Sequence, residues 1–106
     1  MAFNIKQNDT SPSLQATLKD SALAPIDLTG ATVKLHMKSV DGTIKVDTSM
    51  TIVEALNGII KYDWQTGDTD TVGTYNVEFQ VTYSDASIET FPNNGNKVIS
   101  VVRELN

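Results

Sequence analysis

The sequence contains no cysteine, and it has one arginine, one histidine and one tryptophan among its 106 residues. Without cysteine there are neither disulfides nor thiolate metal ligands, so stability must come from a packed core. Positive charge is sparse: seven lysines are dispersed along the chain, Arg103 is the lone arginine, and thirteen acidic residues bring the net charge to −5. Binding to nucleic acid gains its free energy from clustered lysine and arginine, and no such cluster exists. Anionic membrane surfaces are disfavoured for the same reason. No apolar run approaches the length that crosses a bilayer. The start, Met1-Ala2-Phe3-Asn4-Ile5-Lys6, lacks the basic head and apolar stretch of a signal peptide.

What is present is a strand-forming sequence. Apolar residues make up 40% and charged residues 20%, proportions of a globular chain and not of a disordered one. Thirteen threonines favour strands over helices. In Gly73–Tyr83, apolar Tyr75, Val77, Phe79, Val81 and Tyr83 alternate with Thr74, Asn76, Glu78, Gln80 and Thr82. A side-chain period of two belongs to strands alone, so this run predicts a long strand with one buried and one solvated face.

Shorter strands are expected at Phe3–Lys6, Leu14–Leu18, Thr32–Ser39, Thr43–Asp47 and Thr51–Leu56. Further ones fall at Ile60–Trp64, Ile88–Phe91 and Lys97–Val102. Asp41-Gly42 and Asn57-Gly58 read as tight turns, Asp41-Gly42 as a hairpin with both central residues at positive φ. Ser84–Ser87 turns the chain back, and Gln65–Val72 is a polar crossing loop. Pro92-Asn93-Asn94-Gly95 reads as irregular. Seven to nine strands at this spacing, without a convincing helix, predict an antiparallel two-sheet β-sandwich as a single domain over 1–106.

Candidate chemistry is thin. His36 stands between Lys34 and Lys38 on an outward face with no patterned acid beside it, which makes it a surface residue. Asp68 and Asp70 sit in a polar turn; calcium would need six or more oxygens, and the EF-hand pattern is absent, so they read as turn residues. Neither a nucleophile elbow nor a phosphate loop occurs, so no catalytic, cofactor or metal residue is assigned. Tyr62 and Trp64 could stack on a sugar, but they share a face with Ile60, the pattern of a core. Phe79 is expected at the centre of that core. Tyr75 opens the long strand behind Asp70 and Gly73, an arrangement that resembles the tyrosine corner of immunoglobulin-like domains. Tyr83, at the strand's far end, is given no such tie.

The order of these motifs resembles one family. Pro25–Ala31 leads into Val33–Met37, followed by Asp41-Gly42, Gly58–Tyr62, Asp68-Thr69, Gly73–Val81, Ile88–Pro92 and a strand closing on Val101-Val102. This is similar to the N-terminal domain of baseplate upper proteins of tailed phages that infect Gram-positive hosts, and the likeness spans nearly the whole chain. It departs at Ser84–Ser87, where that family often has Asp-Gly. Members continue past this module into a stalk and attachment region. The resemblance implies an immunoglobulin-like sandwich that is a structural part of the virion. It would dock to other tail or baseplate proteins, or to a second copy of itself, with neither cofactor nor catalysis. Docking is expected through an edge strand or an exposed sheet face, with Phe3, Ile5, Ile44 and Val46 as interface candidates. The alternatives are capsid decoration, or adhesion to a host-surface glycan, which an outward-facing Trp64 would favour.

Overall fold

The computed structural model describes residues 2–92 and 97–103. They form β1 (Ala2–Lys6), β2 (Leu14–Thr17), β3 (Thr32–Ser39), β4 (Ile44–Ser49) and β5 (Thr51–Glu54), then β6 (Ile59–Tyr62), β7 (Gly73–Thr82), β8 (Ile88–Phe91) and β9 (Lys97–Val102). Two sheets result. One has six strands in the order β1-β9-β7-β3-β4, with β8 also on β7; the other is β2-β6-β5. The partition matches an immunoglobulin sandwich, in which strands B, E and D face G, F, C and C′. The irregular segment expected after Phe91 lies, beyond Pro92, outside the described residues.

β7 organises the larger sheet. It pairs antiparallel with the whole length of β3, from Thr32↔Thr82 to Ser39↔Tyr75. Its other side is shared: β9 takes Gly73–Val77 and β8 takes Phe79–Thr82. The period-two pattern points Tyr75, Val77, Phe79 and Val81 inward, all buried. They meet Leu14, Ala16, Ile60 and Tyr62 of the smaller sheet in one apolar cluster. Each large side chain buried there contributes roughly 1.5–3 kcal/mol relative to exposure.

Four details depart from the sequence reading. The β1–β9 ladder is parallel, from Ala2↔Val98 to Lys6↔Val102, within an otherwise antiparallel arrangement. The β3–β4 turn is a three-residue loop: Ser39 N–H donates to Thr43 O, Gly42 N–H to Ser39 O, and Gly42 alone has positive φ (+92°). That geometry is the type I turn with a left-handed third residue, not the two-residue hairpin. The strand begun at Thr51 stops at Glu54, and Ala55–Asn57 form one turn of 3₁₀ helix. Gly58 ends that turn at φ +66°, and both its N–H and that of Leu28 donate to Ala55 O. Last, Trp64 lies just beyond β6, although its side chain stays on the buried face.

Candidate functional site

The loop between β6 and β7 is built by its aspartates and the two tyrosines that flank it. The Tyr62 hydroxyl donates to Asp68, whose Oδ2 also accepts the Gln65 N–H at 2.9 Å. Burial and the adjacent Asp68 push the Tyr62 phenol well above its usual range. Asp70 pairs with Lys45 on β4 and accepts the Thr71 hydroxyl, contacts that hold its carboxyl below the ordinary carboxylate range. The Tyr75 hydroxyl donates to the Thr71 carbonyl at 2.7 Å, tying the loop's end to the start of β7 as in a tyrosine corner. Asp68 and Asp70 thus work as loop ties. Among the described residues no three acidic, histidine or cysteine side chains gather as a metal cluster. Tyr83 is tied as well: its hydroxyl donates to Glu89 at 2.7 Å, a partner the alternating pattern did not reveal.

Trp64 is buried, with Tyr62 edge-on at 5.4 Å and the Phe3 ring at 6.1 Å. It is therefore core and offers no sugar platform. Its Nε1 is buried without a hydrogen-bond partner among the described residues. Phe79 is fully buried.

The interface candidates separate once the sheet is laid out. β1 and β4 are the two ends of the larger sheet's path, so among the described residues both have an outer edge without a strand. Their inward side chains are not available, however. Ile5 and Val46 are buried in the core, and Phe3 is half-buried against Trp64. Ile44 alone of the four is exposed, because the bulge between Met37 and Lys38 puts it opposite Lys38 on the solvent face. The same hairpin gives His36 the acid that the sequence did not show. Asp47 lies opposite it, with its Oδ1 3.3 Å from His36 Nε2 and 3.4 Å from Lys34 Nζ. The register places Glu78 on its other side.

At the β3–β4 turn the sandwich ends in an open groove of about 420 Å³. Val40, Val72 and Tyr75 supply its apolar wall, and Asp41, Thr43 and Lys45 its polar rim.

Among the described residues the sandwich thus presents open sheet edges and a terminal groove. The comparisons give it a family. The model of the BppU N-terminal domain matches residues 2–101, and the chain belongs to that family, the N-terminal domain of phage baseplate upper proteins. The family is one of structural proteins of the phage baseplate. No curated protein matches the chain. Among solved structures, the crystal structure of CopC from Methylosinus trichosporium OB3b is similar at 15% identity and a TM-score of 0.54, covering 98% of this chain and 86% of that one. At that identity the likeness is one of fold alone.

Proposed function

We propose that this chain is a docking module of the phage tail baseplate, joined to neighbouring virion proteins through the open edges of its larger sheet. The family carries the reading. The sheet supplies a physical means, since β1 and β4 each present a row of backbone donors and acceptors to which another chain can add a strand. Of the side chains that accompany these edges, Ile44, Asp47, Thr48 and Ser49 of β4 and Asn4 and Lys6 of β1 are exposed. Each such contact is small. A ring-shaped organelle engages many copies together, so weak contacts hold by avidity. The burial of Trp64 and Tyr62 removes the observation that would have favoured glycan stacking.

Mass spectrometry and antibody–gold labelling of purified particles test the reading. The expected result is label at the tail tip, with chemical crosslinks from Lys6 or Lys45 to another tail protein. Label on the capsid would assign a decoration role instead, and absence from purified particles would refute a place in the virion.

A further inference from the structure

Two dipeptides that read as turns in the sequence also carry reactive chemistry. When glycine follows asparagine or aspartate, no side chain shields its backbone nitrogen. That nitrogen can attack the carboxyl carbon of the preceding side chain and close a five-membered succinimide ring. Asparagine is the more labile of the two. Among the described residues, Asp41-Gly42 and Asn57-Gly58 are the dipeptides of this kind. Asp41 is protected. Its carboxyl accepts the Ser39 hydroxyl and the Thr43 N–H, which lower its pKa to about 2. An ionised carboxylate repels a nucleophile and has no leaving group to lose.

Asn57 differs on each point. Its carboxamide is neutral, has ammonia to expel, and is exposed. Its Nδ2 donates to Glu54 Oε1 at 3.3 Å. The nucleophile, the Gly58 nitrogen, donates to Ala55 O, also at 3.3 Å. Both distances exceed the usual ~2.9–3.0 Å of an N–H···O bond. The turn that makes these bonds, Ala55–Asn57, is a single 3₁₀ turn without a buried residue, and Leu56 within it is 74% exposed. A segment with so little burial opens at low free-energy cost. The other side of the dipeptide is tight. Gly58 O accepts the Leu18 N–H at 2.8 Å, and a Cβ on Gly58 would lie 2.6 Å from Leu18 O and 3.0 Å from Ile26 O. The main chain has no room there for an added atom.

We infer that Asn57 is a site of spontaneous deamidation, gated by opening of the 55–57 turn, and that its isoaspartate product cannot rebuild the junction between that turn and the end of β2. In the closed turn both reacting groups are held on other partners, so the reaction runs through the opened one. There the Gly58 nitrogen gives up its proton to solvent base and bonds to Asn57 Cγ. The Cγ–Nδ2 bond breaks and ammonia leaves. Water then opens the ring. Cleavage at Cγ restores the original main chain with an aspartate side chain at 57. Cleavage at the main-chain carbonyl carbon leaves isoaspartate, whose backbone runs through Cβ and Cγ and is one atom longer. That atom enters where Gly58 meets the carbonyls of Leu18 and Ile26.

The test holds the pure chain in mildly alkaline buffer, with and without enough urea to unfold it. Trypsin releases Val46–Lys61, in which Asn57 is the one amide side chain, so conversion is read as the amide-to-acid mass gain of a single peptide. The gain should appear in both samples and be several-fold slower in the folded one. Asn57→Gln, which would need a larger ring, should abolish it and melt with the unaltered chain. The fate of the product is read by separating the isoaspartate form chromatographically and comparing it with Asn57→Asp, which has the same mass and charge. Asn57→Asp should melt close to the unaltered chain, because only an exposed side chain changes, and the isoaspartate form should melt lower. A folded protein that never gains the mass, equal rates with and without urea, a gain that persists in Asn57→Gln, or an isoaspartate form that melts with Asn57→Asp would each overturn the inference. None of these outcomes bears on whether the protein resides in the virion.

Discussion

Ala86 occupies the left-handed position of its turn at φ +71°, where the matching turn after β3 has Gly42. An L-residue pays roughly 1–2 kcal/mol for that conformation, and glycine returns part of the gain as unfolded-state entropy. Ala86→Gly should therefore stabilise the protein by about 0.5–1 kcal/mol, read as a raised midpoint in urea. At Tyr75 the relevant group is one hydroxyl: Tyr75→Phe keeps the buried ring and loses only the bond to the Thr71 carbonyl. A cost of about 0.5–1.5 kcal/mol is expected in the same melts, and no cost would deny the corner any role in holding the loop. Asp41 gives the pH dependence. The Ser39 hydroxyl first, then the Thr43 N–H, lower its pKa to about 2. A carboxyl lowered by folding adds stability above its unfolded value near ~3.9 and loses it as pH falls through the folded one. An NMR titration should find the Asp41 carboxyl still ionised at pH 3, and Ser39→Ala should move its midpoint upward.

Two glycines show how differently elements depend on a single residue. Gly42 and Gly58 both have positive φ, but a Cβ on Gly42 would meet nothing within 4 Å, whereas one on Gly58 would lie 2.6 Å from the Leu18 carbonyl. Gly42→Ala should cost about 1 kcal/mol, from backbone strain alone. Gly58→Ala should cost clearly more, because it also forces β2 away from the 3₁₀ turn; equal costs in urea melts would show that this junction yields freely. The sequence announced such local features well. Alternation placed β3 and β7 and their buried faces, since a period of two needs only neighbours in the chain. Asp41-Gly42 marked a turn, but whether two or three residues form it depends on the register of the flanking strands. Features set by distant residues were not legible. The parallel β1–β9 pair joins opposite ends of the chain, and Asp47 meets His36 only through the hairpin register. Leu23, which takes a left-handed conformation at φ +65°, was not legible either, because such a residue is normally signalled by glycine or asparagine and this one is neither.

For the molecule as a whole, the question is whether the two sheets fold as one unit. Their inner faces form a single apolar cluster, and β4 runs on through Met50 into β5, so the chain passes directly from one sheet to the other. The Met50 N–H donates to Val33 O, which pins that crossing to β3. Trp64 follows a strand of the smaller sheet yet touches Phe3 of the larger one, so its fluorescence reports their contact, while far-UV circular dichroism reports all the strands. If the sheets share one core, the two signals must trace the same urea transition. Equivalent damage on either side should then move that one transition. Ile60 of β6 and Ile99 of β9 are both fully buried, one in each sheet. Ile60→Val and Ile99→Val each delete one methylene from the core and should cost about 0.5–1.5 kcal/mol. Either substitution should shift the fluorescence and dichroism midpoints together, and the slopes should stay unchanged. Separate transitions, or a substitution that moves one signal and leaves the other in place, would mean that the smaller sheet melts on its own.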